Sequence, residues 1–469
     1  MPKDASALEI HFINVSQGDS ILLINRNLDE LKKKIKAAGK LLPANSLDWM
    51  PFAMAQKPSL DLEGTVKAAV LIDAGEDYYG GDVFSYIQSY GVKGSVTQAN
   101  FSTVASHYHS DHADGLRLIY KKKDGKKTVD NYPPNKAYDM GDDADLDPAT
   151  LTYSNYVADI KGFEAASKTT RKTLKPGDTF DMDKDQNNVS ITLRCLAANG
   201  VVYKGNGATN KDIIDRTQGI DQNDRSIVLT VEYGDFRCLL GGDAGGDGRD
   251  GGGNFGINQD STPKKHWSAH GDLETYLRTS IQHAYPNDPL RNQTATGHIC
   301  CFKAHHHGST TSNDVFFVGA MQPCLFLCSC GSRIKFHGHP TQEAINRTDV
   351  SKSAQWPTPT SNKALVLANS IKATYFTEMA VDGVYSWGGL KDRNYDREFP
   401  NGKILGDMIV RPFGPVTPPN ANGANTINIQ VYGSGERAAI DGDKKLREVN
   451  ATKATNYPVG PWEHSCNKH

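Results

Sequence analysis

Short apolar runs divided by polar turns dominate this chain. ALEIHFINV (7–15) alternates apolar with polar positions, and DSILLIN (19–25) follows the turn-like SQGD. Period-two patterning of this kind predicts strands that turn one face to a core. KAAVLIDAG (67–75) is almost continuously apolar and ends in glycine, the pattern of a strand buried on both faces. SVTQANFSTVASH (95–107), NVSITLRCLA (188–197), HICCFKAHH (298–306) and PCLFLCSCG (323–331) are further strand candidates. RSIVLTVEYGDFRCLLGG (225–242) reads as a hairpin with Gly234 and Asp235 at its turn. Helical spacing appears between these runs, in LDELKKKIKAAGKLL (28–42), VFSYIQSYG (83–91) and GDLETYLRTSIQHAY (271–285). Strands alternating with helices predict an α/β protein.

Three stretches break the pattern. Residues 26–66, the polar Asp/Lys-rich 121–187, and 244–297 with its opening AGGDGRDGGGNFG read as insertions on one layered core spanning 1–415. Within them KKKDGKK (121–127) reads as a solvated loop. Residues 416–469 then hold the linker-like PVTPPNANGAN, a last strand TINIQVYG (426–433) and a polar tail, expected to pack on the same domain. No run approaches the roughly 18 apolar residues of a membrane span, and the start, MPKDASALEI, lacks the apolar stretch of a secretory signal. Lys and Arg number 52 against 54 Asp and Glu, so the chain as a whole exerts no electrostatic pull on nucleic acid. The eight cysteines show no framework spacing and read as reduced core thiols, which places the protein in the cytoplasm. A CxxxCxC metal site at Cys324, Cys328 and Cys330 is the lesser alternative, because Leu325, Phe326 and Leu327 look like a buried strand.

Chemistry enters with SHYHSDHADG (106–115), which places three of the chain's 15 histidines within six positions. A strand ending at His107 presents His107 and His109 to one side. Asp111 and His112 follow at a turn, and ADGLRLIY continues as a helix with Leu116, Ile119 and Tyr120 on one side. Two neutral imidazoles can hold one borderline metal ion, and a carboxylate with a third imidazole can hold a second beside it. Asp243, where CLLGGD runs out of an apolar strand into a Gly-rich loop, can bridge two cations. His305, His306 and His307 end another apolar strand; three adjacent histidines cannot all point the same way, so one or two of them face the site.

These pieces resemble the metallo-β-lactamase fold superfamily, and within it the hydrolase domain of the competence protein ComEC and its free-standing relatives. The matching segments are IHFINVSQGDSILL (10–23), LIDAG (71–75), SHYHSDHADG (106–115), NDRSIVLTVEYGDFRCLLGGDA (223–244), KAHHHGSTTS (303–312), FHGHPTQEAI (336–345) and TYFTEMAVDGVYSW (374–387), the last similar to a closing hairpin. The resemblance spans roughly 8–415 and implies a four-layer αββα sandwich with loop and helix insertions. It implies that His107 and His109 hold the first metal, that Asp111 and His112 hold the second, and that Asp243 bridges. His306 is its choice for the last ligand of the second metal, with His307 as the fallback. Asp73 would orient a ligand imidazole, Asp19 of QGDS would sit in a turn or behind the ligands, and His339 of GHP would stand near the substrate as a proton donor.

One departure bears on the metal. Many members of the superfamily supply a third histidine to the first metal, yet residues 113–242 contain none. Asn199, Asn223 or water can take that place as a neutral oxygen ligand, which favours Mn²⁺ or Mg²⁺ relative to Zn²⁺ at the first site; the expected cofactor is two divalent ions, Zn or Mn. The expected activity is hydrolysis by a hydroxide activated at a dinuclear centre, positioned by Asp111 and Asp243, on a phosphodiester that includes nucleic acid. Lactam, lactone or thioester hydrolysis is the second reading, and a metal-binding protein without activity the third.

Overall fold

The apolar runs assemble into two large sheets in a computed structural model. It describes residues 6–39, 60–124, 127–142, 150–205, 209–212, 222–246, 273–285, 299–309, 311–321, 323–331, 339–348, 371–378, 384–387, 390–394, 402–413, 426–434 and 459–467. The first sheet has nine strands, in the order Val459–Asn467, Thr426–Gly433, Met408–Phe413, Leu8–Phe12, Ile21–Arg26, Val66–Ile72, Phe101–Val104, Lys136–Asp139 and Thr170–Thr173. Its pairings are antiparallel as far as Val66–Ile72 and parallel beyond it, with Ala69 opposite Phe101 and Ser102 opposite Lys136. The second sheet runs Lys211–Asp212, Val201–Val202, Ser190–Ala198, Val228–Tyr233, Phe236–Gly241, Cys301–Lys303, Leu325–Cys328, Ala373–Phe376 and Gly402–Ile404, with Thr179–Lys184 also paired to Ser190–Ala198. Phe236–Gly241 pairs in parallel with Cys301–Lys303, and Cys238 stands opposite Cys301.

The period-two pattern sorts side chains between two cores. Leu229, Val231, Cys238, Leu240, Cys301, Leu325 and Leu327 join the residues of the first sheet in one continuous apolar cluster. Their alternates Val228, Leu239, Phe302, Phe326 and Cys328 instead meet Leu273, Leu277 and Ile281 of the Leu273–Ala284 helix and Phe317, Val318 and Met321 of the Val315–Met321 helix. On the first sheet, the Asp77–Ser89 helix contributes Val83 and Ile87, and the Ser110–Tyr120 helix contributes Leu116, Ile119 and Tyr120. Burying each Leu, Ile or Phe of this kind contributes on the order of 1.5–3 kcal/mol. In Ser190–Ala198 a bulge between Cys195 and Ala197 resets the alternation, so that Leu196 and Ala197 both face the outer core.

Several expectations change. Residues 95–98 do not extend a strand: Gly94–Gln98 forms a short helix, Val96 is exposed, and the strand begins only at Phe101, where the apolar run begins. Ala373–Phe376 and Val384–Trp387 do not form a closing hairpin. The former lies in the second sheet, and the latter pairs with Leu390–Asn394 in a separate two-stranded sheet. Within 121–187, Lys136–Asp139 and Thr170–Thr173 are strands of the first sheet itself, and the Leu151–Ala165 helix packs on the Ser110–Tyr120 helix. Thr170–Thr173 is the edge strand and Lys136–Asp139 lies next to it; TRKT and KAYD are short and polar, which hides both from a hydrophobicity reading. The hairpin across Gly234 and Asp235 forms with Tyr233 opposite Phe236.

The cysteine reading is also corrected. Cys324 and Cys466 form a disulfide that ties the terminal strand Val459–Asn467 to the start of Leu325–Cys328 in the other sheet. Cys324 is therefore neither a free thiol nor a metal ligand. Cys195, Cys238, Cys300, Cys301, Cys328 and Cys330 are buried thiols. Disulfides are rare in cytosolic proteins, so the ground on which a cytoplasmic placement rested is gone. Among the described residues no helix is long and apolar enough to cross a membrane.

Candidate metal centre

Five loops converge at one end of the two sheets. Strands Val66–Ile72 and Phe101–Val104, parallel neighbours, deliver Asp73 and residues 105–109 from their carboxyl ends. Phe236–Gly241 and Cys301–Lys303, also parallel, deliver Asp243 and residues 305–307. The loop after Leu8–Phe12 brings Asp19, whose backbone N–H donates to the Asp111 carbonyl at 3.2 Å. Carboxyl ends of parallel strands are where open α/β sheets place their ligands, because loops from several strands meet there.

The SHYHSDH segment is not the strand end the sequence suggests. Pairing stops at Val104, and the Ser106 N–H leaves the ladder to donate to Asp73 Oδ1 at 2.8 Å. The chain bends at His107 and Tyr108, and His109, in an extended conformation, caps the Ser110–Tyr120 helix. Tyr108 points away and is buried, its hydroxyl donating to the Gly141 carbonyl at 2.9 Å while its ring packs on Tyr153 and Tyr156. His107 and His109 point the other way, with His107 Nε2 and His109 Nδ1 3.1 Å apart. Asp111 and His112 occupy the first helical turn.

His112, His307, Asp111 and Asp243 form one group. The separations are 3.3 Å between the two Nε2 atoms, 3.3 Å from His112 Nε2 to Asp243 Oδ1, 3.4 Å from His307 Nε2 to Asp243 Oδ1, 3.4 Å from His307 Nε2 to Asp111 Oδ2, and 3.9 Å from His112 Nε2 to Asp111 Oδ2. Ligands ~2.0–2.1 Å from a tetrahedral ion stand about 3.3 Å from one another, so four donor atoms already lie near the corners such an ion requires. His107, His109 and Asp243 form a second group. Asp243 belongs to both, and its Oδ1 is buried without a hydrogen bond.

Hydrogen bonds behind the donors fix which ring nitrogens face inward. Asp73 accepts from the Ser106 hydroxyl at 2.6 Å and from His112 Nδ1 at 2.8 Å. The Ser106 hydroxyl in turn accepts from His107 Nδ1 at 3.1 Å, and His307 Nδ1 donates to the Ser329 carbonyl at 3.0 Å. Each interaction occupies Nδ1 and leaves Nε2 for a metal. Burial opposes charge on His112, yet the carboxylates of Asp243 and Asp111 outweigh it and hold the imidazole well above its usual range. His307 is pushed up to about 10, its burial cost exceeded by Asp243 and Asp19. For Asp243 the burial cost is outweighed by His307 and His112, and its carboxyl lies well below the usual range. His107 is the opposite case: burial and the neighbouring His112 and His109 keep it well below. In the first group the imidazole protons answer carboxylates that a metal ion could answer instead.

The HHH turn decides which histidine enters. His306 and His307 have φ of 46° and 50°, and Gly308 follows at 79°. Left-handed conformations cost a non-glycine residue of order 1–2 kcal/mol, and the surroundings impose them here. His305 is neutral, its ring lowered to about 3 chiefly by burial, and it donates Nδ1–H to Glu274 at 2.8 Å. Glu274 also accepts from the Asn313 and Asp314 N–H groups, both at 2.7 Å. His305 is thus turned outward and locked, and the left-handed step swings His307 into the site. The structure accordingly places His307, rather than His306, among the four donors. His306 Nε2 is 3.7 Å from Asp243 Oδ2, and its ring centroid is 5.1 Å from that of His339, both on the partly open side.

Glycines make the close approach possible. A Cβ at Gly241 would lie 2.4 Å from the His305 ring, and one at Gly242 would lie 2.6 Å from Ser106 Oγ. GGD is therefore a packing requirement as well as a turn. Asn199 lies in the turn after Ser190–Ala198, its N–H donating to the Arg225 carbonyl at 2.9 Å, and Asn223 lies in the 3-10 helix Gln222–Arg225, its carbonyl accepting from the Ser226 N–H at 3.0 Å; the next residue, Ile227, donates its N–H to the Ser106 carbonyl at 2.8 Å. Ser106, Ser329 and Glu274 went unassigned by the sequence reading. Ser106 adjoins His107 and could have been suspected; Glu274 lies in an expected insertion and carried no signal.

A scan of protein-family models gives no match to this chain, and a search of curated proteins gives none. Among solved structures, the chain is similar to zinc-bound PqqB from Methylobacterium extorquens at 11% identity, over 78% of this chain and 88% of that one, with a TM-score of 0.27.

Proposed function

We propose that this chain is a metal-dependent hydrolase of the metallo-β-lactamase superfamily, with the four-layer αββα sandwich its two sheets and outer helices suggest. The observation that carries this reading is the near-tetrahedral set of His112, His307, Asp111 and Asp243, joined through Asp243 to His107 and His109. Asp111, His112, His307 and Asp243 would hold one divalent ion; His107, His109 and Asp243 would hold the other, with Asn199 or Asn223 as an oxygen donor. Zinc or manganese fits such a mixed nitrogen and oxygen set. When bound, the ions supply Lewis acidity, lowering the pKa of water and neutralising charge on the attacked group.

The chain's own residues do the rest. Asp73 and the Ser329 carbonyl hold two imidazoles in register. Asp111, whose side chain is 22% exposed, is the member of the four-residue group that reaches solvent, and it positions the attacking water. His339, beside His306 on the open side, donates a proton to the leaving oxygen.

A phosphodiester, nucleic acid included, is the substrate class we favour, because the HHGS and GHP motifs resemble that branch and the second group lacks the third histidine common in carbonyl-cleaving relatives. Protein loaded with Zn²⁺ or Mn²⁺ is expected to cleave bis-p-nitrophenyl phosphate, single-stranded DNA or RNA, and to leave nitrocefin intact. Turnover of nitrocefin with inert phosphodiesters transfers the assignment to carbonyl hydrolysis. Bound metal with no turnover of any substrate makes the chain a binding protein.

A further inference from the structure

Among the described residues three groups of side chains are close enough to hold an ion, and the third, Asp19, Asp73 and His112, is of a different kind. Its cation is already present. Lys303, fully buried, forms an ion pair with Asp19 Oδ2 and donates to the carbonyls of Gly241 at 3.0 Å and Gly242 at 3.3 Å. Asp19 Oδ1 faces His307 Nδ1 at 3.5 Å, and Asp19 Oδ2 lies 3.9 Å from His112 Nδ1. Lys303 therefore touches two metal-bearing segments, the GGD loop directly and the HHH turn through Asp19. Asp19, Asp73, Asp111 and Asp243 place four carboxylates close together, and Lys303 is paired with one of them, Asp19. Burial opposes charge on Lys303, but Asp19 and Asp243 keep it protonated.

Resting on the metal-centre reading above, we infer that Lys303 is a fixed internal cation that takes the place of a third metal ion. It neutralises Asp19 so that the carboxylate does not draw His307 and His112 away from the dinuclear site, and it pins the carbonyls next to Asp243. Lys303 is a positioning residue: it touches no substrate, and it acts through Asp19 and the GGD loop.

The pairing predicts a rescue that a packing role does not. Wild-type protein, Lys303→Met, Asp19→Asn and the Asp19→Asn/Lys303→Met double variant are equilibrated with Zn²⁺ or Mn²⁺. Bound metal is counted by elemental analysis, its loss to EDTA is timed, and folding is followed by circular dichroism. Lys303→Met, which strands a buried carboxylate, is expected to lose metal about 10–100-fold faster, the scale of a disrupted outer contact. The double variant removes both charges and is expected to hold metal within about threefold of wild type. A folded double variant as leaky as Lys303→Met overturns the inference, as does Lys303→Met with wild-type retention. If Lys303→Met does not fold, the comparison passes to Asp19→Asn, and a double variant no tighter than that one overturns it. Wild-type protein that takes up no metal overturns the metal-centre reading itself, whereas a loaded wild type beside an equally loaded Lys303→Met overturns this inference alone.

Discussion

The two halves of the candidate centre share Asp243 and the 105–112 segment, yet they are built differently. The half around His112 and His307 has four donors, rings fixed by Asp73 and the Ser329 carbonyl, and carboxylates that draw protons onto its imidazoles. The half around His107 and His109 has three donors, and its buried histidine is already neutral. Two sites can therefore stand side by side and still differ in strength. On the proposed reading the first would select its cation through concentrated negative charge, and the second would hold one on two imidazoles and a shared carboxylate.

The harshest way to break this picture is Asp243→Ala. Because the carboxylate belongs to both halves, the variant is expected to lose both ions by elemental analysis and to lower hydrolysis by on the order of 10³-fold or more, the equivalent of several kcal/mol. An Asp243→Ala protein with two ions would mean the halves do not meet there. A finer test sets His307→Ala against His306→Ala. The first is expected to cost one ion and roughly 10²-fold in rate; the second is expected to keep both ions and to cost far less in rate. Equal metal loss in both would undo the distinction drawn from the left-handed turn. The mildest test is pH. With His307 near 10 and His112 also held well above its usual range in the metal-free protein, binding at their half must displace both protons, so affinity there is expected to rise about a hundredfold per pH unit while both rings are protonated. Binding at the His107 half should be flatter above pH ~6.5, and calorimetry in buffers of different ionisation enthalpy separates the two. The His307 proton also stabilises the metal-free fold. A raised folded pKa gives stability that is complete below the unfolded value of ~6.5 and is lost as pH climbs through about 10.

The sequence showed most where a local signal and a global role coincide. Alternation in 7–15 and 225–242 marks strands because the same residues face a core, and SHYHSDH is readable because its donors are consecutive. It failed where position depends on distant partners. His306 and His307 are indistinguishable by type, and the choice follows from Glu274, some thirty positions away, holding His305. Lys136–Asp139 and Thr170–Thr173 carry too little apolar signal to announce themselves as strands of the sheet. Cys324 and Cys466, with a sequence separation of 142, share no spacing rule; only the stacking of two sheets brings them together.

That bond has a topological meaning. It closes a covalent ring containing the last strands of both sheets and the whole of 435–458. A single protease cut within that span opens the ring without freeing a fragment: the terminal strand stays tethered beside Thr426–Gly433, and the two pieces travel as one until a reductant separates them.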